Sequence, residues 1–295
     1  MVLTDLLNPN YIKRLERLNL SVKKSYLGYR QGSHASPKKG QGLEFADYRQ
    51  YVSGDDFRQI DWNLFGRTEK LYLKQFREEQ ELSVLFIIDT SPSMFENDLS
   101  NKFIYSLKIA LSLAIIAIKK GDTAIFLCEN ETIKARSLND LAKVTAKLTD
   151  IFSRESRETD NSLEKIIERK IPSFRIPGAC YIISDFMFDN FITEKITNLI
   201  IKKNYELNII QVLSKEEITP AESSFDILVD SEDGTILDQG INSKVIEDYK
   251  LKLAAHLYNL EYLLKKQGLR YILCSSDKEI EDVIFSNFIA KRILT

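Results

Sequence analysis

Asp89, Ser91 and Ser93 stand out because they directly follow a deeply apolar segment, in the stretch "VLFIIDTSPSM" from Val84 to Met94. In an extended loop alternate residues point the same way, so these three side chains can converge on one point. A carboxylate and two hydroxyls are the hard oxygen donors that Mg²⁺ binds, usually with several waters retained. The spacing therefore indicates a candidate site for a divalent cation.

Two further segments offer oxygen donors of the same kind. Asp185 follows an apolar run in "YIISDF", and Thr159 lies in "SRETDNSLEK", before a predicted helix. Alone, the Asp-x-Ser-x-Ser pattern is weak, because Asp and Ser are also favoured in turns and at helix N-caps. What favours a metal site is position: ligands of open parallel sheets bind outside the carboxyl ends of the strands, where all three segments are expected.

The elements that must position these residues alternate between strand and helix patterns. Near-continuous apolar runs, typical of parallel strands covered on both faces, predict strands at 82–89, 123–128, 180–185, 207–213 and 271–275. Helical patterns fall at 100–120, 138–152, 162–170, 193–204, 243–267 and 278–290. This order predicts an α/β fold with a doubly wound, mostly parallel sheet and helices on both faces. Asp233-Gly234, between two short apolar stretches, predicts a hairpin inserted at the sheet edge.

The first 80 residues lack this alternation and contain short pieces rich in Gly, Arg and Asp. The change falls near Glu78. We therefore expect two parts, an N-terminal extension at 1–80 packed on the main domain and the α/β domain at 81–295. The chain itself begins with a pattern typical of a short amphipathic helix.

Composition limits the possible functions. The chain has 295 residues, is 44 % hydrophobic and carries a net charge of −2, so its overall charge does not favour nucleic acid or an anionic membrane. Its three cysteines are far apart, which argues against a disulfide framework or a zinc cluster. The longest apolar run, Ile109 to Ile118, is too short to cross a bilayer, and the start does not resemble a signal peptide. A cytoplasmic protein is expected.

In this order and at these strand ends, the oxygen donors resemble the metal-ion-dependent adhesion site of von Willebrand factor A domains. By that resemblance, Ser91, Ser93 and Thr159 would be hydroxyl ligands, and Asp89 and Asp185 would bind Mg²⁺ or Mn²⁺ directly or through water. The remaining coordination position would take a carboxylate from a partner protein. Neutral hydroxyls suit that role because they leave the charge of the cation under-compensated.

The N-terminal part resembles the signature of a bacterial family catalogued as domain of unknown function fifty-eight, and the resemblance covers nearly all of the chain from about Tyr26 onward. The matching residues are Gly40, Gly42, Glu44, Phe45, Arg49, Tyr51, Gly54, Asp55, Asp56, Arg58, Ile60, Asp61, Trp62 and Arg67. Members of this family are commonly encoded beside MoxR-type ATPases of the AAA+ class. The resemblance thus implies an adaptor or co-chaperone of such an ATPase, binding the ATPase or its client protein.

Within that signature, "YVSGDDFRQIDW" reads physically as a tight turn at Gly54-Asp55 followed by an apolar residue, Trp62. We expect the carboxylates of this turn and Arg58 to form an ion-pair network, with Trp62 as an apolar anchor. The network would attach the N-terminal part to the domain; a surface recognised by the partner is the second interpretation.

Two other classes of function stay open. An Mg²⁺-dependent phosphoryl-transfer or hydrolytic enzyme could use Asp89 as its nucleophile, although Ser91 stands where such enzymes carry a second carboxylate. No phosphate-binding loop or nucleophile elbow occurs, and His256 fits a packed helix position better than a catalytic base. The basic segment 13–39 could instead bind nucleic acid, but it contains no recognised motif.

The sequence therefore favours a non-enzymatic, metal-dependent protein-binding module without a small-molecule substrate. Aromatic and Met side chains near the metal, expected to be exposed, would form the rim of the protein-binding surface. Together with the N-terminal candidates, the proposed partner-binding residues are Phe95, Phe186, Met187, Phe188, Arg58 and Trp62.

Overall fold

The computed structural model describes residues 3–22, 44–77, 82–95, 101–128, 131–152, 163–174, 178–187, 194–220, 228–229, 236–237 and 243–295. The chain divides into two compact units, a large unit made of Met1–Val22 with Leu82–Thr295, and a small unit made of Lys23–Glu81. The boundary between Glu81 and Leu82 lies close to Glu78, where the sequence pattern changes. The first 22 residues are grouped with the large unit.

Ten strands are found in the described residues: β1 (Glu44–Gln50), β2 (Tyr72–Arg77), β3 (Ser83–Ile88), β4 (Thr123–Cys128), β5 (Glu131–Ala135), β6 (Gly178–Ser184), β7 (Tyr205–Leu213), β8 (Leu228–Val229), β9 (Ile236–Leu237) and β10 (Arg270–Ser275). The α-helices are α1 (Leu3–Leu6), α2 (Pro9–Leu15), α3 (Trp62–Thr68), α4 (Lys102–Lys119), α5 (Leu138–Phe152), α6 (Leu163–Lys170), α7 (Glu194–Lys202), α8 (Lys215–Ile218), α9 (Ser243–Lys266) and α10 (Ile280–Asp282).

The large unit is built on a six-stranded sheet in the order β10-β7-β6-β3-β4-β5. All neighbouring pairs are parallel except β4 with β5. The chain adds β4 on one side of β3 and β6 on the other, so the winding direction reverses between β3 and β6. Ligands of open α/β sheets bind at this kind of reversal, outside the carboxyl ends of the strands. The mixed α/β fold with a mostly parallel sheet is thus confirmed.

Alternation along the strands explains why helices cover both faces of this sheet. In β3, Val84, Phe86 and Ile88 join one hydrophobic cluster, whereas Leu85 and Ile87 join the other. The first cluster is completed by α1, α2, α4, α5 and the C-terminal segment, and the second by α6, α7 and the inner face of α9. Strands buried on both faces read as continuous apolar runs, which is why the sequence located them.

The small unit is an antiparallel ribbon of β1 and β2 with α3 between them in the chain. A register shift between Phe45 and Asp47 marks a bulge in β1. Asp61 is the N-cap of α3 and accepts hydrogen bonds from the backbone N–H groups of Asn63 and Leu64. Gly54 has φ +107, a backbone conformation that requires glycine at this turn.

Several elements differ from the sequence-based expectation. The sequence did not predict the antiparallel edge strand β5, since "ETIKA" is mostly exposed, with only Ile133 half-buried and Ala135 buried, and has no apolar run. The single N-terminal helix is two short ones, α1 and α2, separated before Pro9. The expected final helix is one turn, α10, that continues as a π-helix at Val283–Phe288.

Two strands of the predicted hairpin are present. β8 and β9 pair antiparallel, as expected, but in a sheet of their own and not on the six-stranded sheet, while the predicted turn at Asp233-Gly234 lies outside the described residues. The three cysteines are buried. In the described part of the chain, no helix has the length and apolarity needed to span a bilayer.

Candidate functional site

Asp89 lies just past the carboxyl end of β3, at the point where the winding of the sheet reverses. Its backbone N–H donates to the carbonyl of Ile183 on β6 (2.9 Å), which continues the β3–β6 ladder by one bond. Its carboxylate is 4 % exposed and accepts from the backbone N–H of Ser91 at Oδ1 (2.9 Å) and from the Ser184 hydroxyl at Oδ2 (2.5 Å). Both carboxylate oxygens are therefore held in fixed positions.

Ser91 and Ser93 lie beside this carboxylate, as the alternating pattern predicted. Both are half-buried, and their Oγ atoms are 3.1 Å apart. Two neighbouring ligands of an octahedral Mg²⁺, each at about 2.1 Å, lie about 3.0 Å apart. The spacing of the two hydroxyls thus suits a pair of adjacent ligands, and it is also a hydrogen-bond distance.

Asp185 follows β6, the strand next to β3, and is completely buried. Its Oδ2 accepts from the ammonium of Lys102, the first residue of α4, at 2.8 Å. Its Oδ1 accepts a longer hydrogen bond, 3.4 Å, from the backbone N–H of Met187. The backbone carbonyl of Asp185 accepts from the Gln211 amide (2.6 Å), which ties the end of β6 to β7.

Lys102 also contacts a second carboxylate, Glu217 on α8, at 2.5 Å. Glu217 belongs to a capping box, since its other oxygen accepts from the backbone N–H of Ser214 (2.6 Å) while the Ser214 hydroxyl accepts from its backbone N–H. A cation in the first turn of a helix opposes the helix dipole, so α4 needs this compensation. The ammonium of Lys102 joins segments that follow β6 and β7.

We call Asp89, Ser91, Ser93, Lys102, Ser184, Asp185 and Glu217 the strand-end cluster. Burial raises the pKa of Asp89 to about 6; the charge of Asp185 adds to this, while the hydrogen bond from Ser184 opposes it. Burial by itself would lower the pKa of Lys102, but the charges of Asp185 and Glu217 and their hydrogen bonds outweigh it, so the pKa is raised. The cluster thus contains three carboxyl groups and one ammonium, which contacts only Asp185 and Glu217, so it favours an additional cation.

The loop after Asp185 is held from outside the cluster. Phe186 adopts a left-handed backbone conformation (φ +49) and its side chain is buried. His256 on α9 has its Nε2 2.8 Å from the Phe186 carbonyl oxygen. His256 is thus a half-buried helix residue, as expected, and it fixes the backbone beside Asp185.

The predicted rim residues have mixed outcomes. Phe186 was expected to be exposed and is 1 % exposed, so that prediction is wrong: the turn at φ +49 directs the ring into the core. Phe95 is half-buried and stacks on Phe103, with ring centroids 4.6 Å apart. Met187 is 41 % exposed, in agreement with a rim position. Phe188 and the predicted ligand Thr159 lie outside the described residues.

In the small unit, the expected ion-pair network has different partners. Asp55 pairs with Arg49 (2.8 Å), not with Arg58, and also accepts from the backbone N–H of Val52 (2.9 Å). Asp56 accepts from the backbone N–H of Arg58, capping the 3₁₀ turn that follows. Trp62, expected to be an apolar anchor, is 60 % exposed, and among the described residues its ring makes an edge contact with Phe65. Arg58 is also exposed.

Sequence reasoning missed four residues of this region. Lys102 lies within the helix predicted at 100–120, and a lysine next to "FIYSLKIALSLAIIAI" is itself a signal, because buried lysines need carboxylate partners. Ser184 directly precedes Asp185 and could have been noticed. Glu217 and Gln211 carry no local signal, since only the strand order brings them close.

The donor set fits Mg²⁺ or Mn²⁺ in its chemistry. Asp89 brings a buried carboxylate that lacks a cationic partner among the described residues, and Ser91 and Ser93 bring hydroxyls at ligand spacing. In the described ranges, no group of three or more His, Cys, Asp or Glu side chains could hold a metal ion. A metal site formed by these residues would depend on hydroxyl ligands.

Fold and cluster together define an α/β protein whose polar residues converge at the reversal point of a mostly parallel sheet. The family model described as "Protein of unknown function DUF58" matches residues 47–258, and the chain belongs to this family. It is 24 % identical to the uncharacterized protein Rv1480 of Mycobacterium tuberculosis strain H37Rv over 99 % of this chain and 93 % of that protein. The same figures hold for the uncharacterized protein Mb1516 of Mycobacterium bovis.

Two solved structures have limited similarity. BatB, a conserved hypothetical protein from Bacteroides thetaiotaomicron, is 14 % identical with a TM-score of 0.41 and covers 72 % of this chain and 98 % of its own. An aerotolerance-related membrane protein from Bacteroides fragilis is 12 % identical with a TM-score of 0.42 and the same coverage.

Proposed function

We propose that the strand-end cluster binds a divalent cation, Mg²⁺ or Mn²⁺, and through it an acidic residue of a partner protein. The observation that carries the proposal is the convergence of Asp89, Ser91, Ser93 and Asp185 where the winding of the sheet reverses. The protein would act as a non-enzymatic binding module. The likeness of these residues to the adhesion site of von Willebrand factor A domains supports the same function.

Each residue of the strand-end cluster has its own role in this proposal. Ser91 and Ser93 would be direct ligands, together with Thr159, and Asp89 would balance the charge. Asp185 would bind the ion directly or through water, and Lys102 would hold the Asp185 side chain in place. When bound, the cation supplies an electrophilic position that accepts an external carboxylate. Met187, exposed beside Asp185, would contact the partner around that carboxylate.

For the partner we propose a MoxR-type AAA+ ATPase or its client protein, in an adaptor or co-chaperone role. Support for this part comes from the sequence resemblance described above and from membership of the family.

Metal binding is tested by calorimetric titration of Mg²⁺ and Mn²⁺ into the full chain, Ser91→Ala and Asp89→Asn. Saturable binding should weaken at least about ten-fold in each variant. Ser173→Ala, an exposed serine on a 3₁₀ turn outside the cluster, is the matched control and should bind as the wild type does. If the wild type binds neither ion, or if the variants bind equally well, the metal site is refuted.

The partner is tested separately, by binding of the purified MoxR-type ATPase from the same genome. Binding should require Mg²⁺, disappear in EDTA and be lost in Ser91→Ala but not in Ser173→Ala. Metal binding without any interaction with the ATPase would refute the adaptor role and leave the metal site standing.

A further inference from the structure

Helix α9 presents an apolar stripe to solvent, which we call the outer α9 stripe. It consists of Leu251, Ala255, Tyr258 and Tyr262, spaced four, three and four residues apart, so all four lie on one side of the helix. Leu251, Tyr258 and Tyr262 are 65 %, 69 % and 56 % exposed. Single exposed apolar residues are common, but a continuous stripe of large ones marks an interaction surface.

This stripe is distinct from the face that packs on the sheet. Leu253 and Leu264 are buried, and Leu260 packs against the same core, so the inner face already satisfies the amphipathic pattern of a surface helix. The outer stripe is therefore a second apolar face. Its two tyrosine rings stack nearly in parallel, with centroids 6.4 Å apart and planes inclined by 13°. Tyrosines of this kind are enriched in protein interfaces.

The charges at the two ends of α9 indicate which partner fits. Glu247 and Asp248 precede the stripe, and Lys265 and Lys266 follow it, all four exposed. The midpoint of the stripe falls between His256 and Leu257, and Asp248 and Lys265 are equally far from it along the chain, as are Glu247 and Lys266. The stripe and its flanking charges thus form a pattern that is complementary to itself in reverse.

We propose that the outer α9 stripe pairs with the same stripe of a second copy of this chain, antiparallel and around a two-fold axis. In that arrangement Leu251 of each copy faces Tyr262 of the other, and Ala255 faces Tyr258. Spacings of four and three residues are those of knobs-into-holes packing between helices. A two-fold axis makes every contact occur twice, so one favourable pair strengthens the interface doubly.

Electrostatics select the antiparallel orientation. Antiparallel pairing places Asp248 and Glu247 of one copy against Lys265 and Lys266 of the other at both ends. A parallel pair would bring like charges together, which is unfavourable. Lys265 forms an ion pair with Glu261 within the helix (2.9 Å), but both groups are partly exposed, and such pairs exchange at little cost.

The test measures the dimerisation constant of the full chain by analytical ultracentrifugation over a concentration series. A reversible dimer is expected for the wild type. Two charge-reversal variants, Glu247→Lys with Asp248→Lys and Lys265→Glu with Lys266→Glu, should each raise the dimer Kd at least about ten-fold, because each places like charges at both ends. Tyr258→Glu should abolish the dimer.

Mixing supplies the decisive result. An equimolar mixture of the two charge-reversal variants should restore a dimer, since one copy is then basic at both ends and the other acidic at both ends. Lys143→Glu, an exposed reversal on α5, is the control and should dimerise like the wild type, and thermal melts verify that each variant is folded. A monomeric wild type, a dimer insensitive to the charge reversals, or a mixture that stays monomeric overturns the proposal.

Discussion

The ammonium nitrogen of Lys102 lies 2.8 Å from Oδ2 of Asp185, and both side chains are almost fully buried. Asp185 directly follows β6, the strand beside β3, and Lys102 begins the helix that follows the Asp89 loop, so this ion pair joins the two segments that form the candidate site. The pair also sets the position of Asp185 before any metal binds.

Replacing Lys102 should therefore destabilise the fold strongly. In Lys102→Met, Asp185 and Glu217 lose their shared cation, and removing one partner of a buried pair costs about 3–5 kcal/mol. Unfolding in urea should show this loss. Lys119→Met at the other end of α4 is the matched control, because Lys119 pairs with Glu16 near the surface and such a pair is worth about 0–1 kcal/mol.

The same variant separates two roles of Lys102. If a divalent cation binds next to Asp185, Mg²⁺ should raise the melting temperature of Lys102→Met more than that of the wild type, because it replaces the missing positive charge. An equal shift in both proteins would show that the ion binds too far from Asp185 to compensate, which contradicts the placement of Asp185 in the site.

Replacing Asp89 should have different effects with and without metal. Burial raises the pKa of Asp89 to about 6, so ionised Asp89 costs the folded state stability at pH 7. Asp89→Asn removes the charge and keeps an oxygen for the Ser91 N–H, so in EDTA it should stabilise the protein by about 1–3 kcal/mol. In saturating Mg²⁺ this advantage should shrink or reverse, because the wild type binds the ion more tightly and gains more binding energy.

The sign of this effect can be checked with pH. The pKa of Asp89 is raised in the folded state. The stability that comes from protonated Asp89 is therefore fully present below the unfolded value of 3.8 and is lost as pH rises through about 6. The advantage of Asp89→Asn in EDTA should thus be large at pH 7 and small at pH 4. An Asn variant that is less stable than the wild type at pH 7 in EDTA would contradict the assigned cost of burying the charge.

Asp89 and Asp185 could be placed from the sequence because the strands before them are recognisable as continuous apolar runs. Each follows a run of residues that is buried on both faces, and the ends of parallel strands share one edge of the sheet. The alternating Ser91 and Ser93 followed from the period of an extended chain. These are local patterns, and a local pattern is readable without tertiary contacts.

Lys102 and Glu217 could not be placed in the same way, because 115 residues separate them and only the strand order brings them together. The burial of Phe186 depends on one backbone angle in the loop after β6. Sequence patterns therefore do not predict contacts between distant residues or the direction in which a single turn points a side chain.

In the small unit, Tyr48 should control the titration of Asp61. The hydrogen bond from the Tyr48 hydroxyl (2.8 Å), with the backbone N–H of Leu64, lowers the pKa of Asp61 to about 2. Stability from this carboxylate is therefore present above the unfolded value of 3.8 and is lost as pH falls towards 2. Tyr48→Phe should raise the pKa of Asp61, measured by NMR of the side-chain carboxyl carbon, whereas Tyr51→Phe should not. An unchanged pKa in Tyr48→Phe would show that other contacts dominate.

Gly178 should be irreplaceable because it lets β6 approach β3 closely. A Cβ at this position would lie 2.0 Å from the carbonyl oxygen of Ser83, its partner in the β3–β6 ladder. Since the contact is with backbone, the strands must separate, and Gly178→Ala should cost more than about 3 kcal/mol. Gly66→Ala in α3 meets no atom within 4 Å and should stabilise by about 0.5–1 kcal/mol. Urea unfolding and calorimetry of both variants measure these effects, and a Gly178→Ala protein of normal stability would show that the β3–β6 spacing tolerates a methyl group.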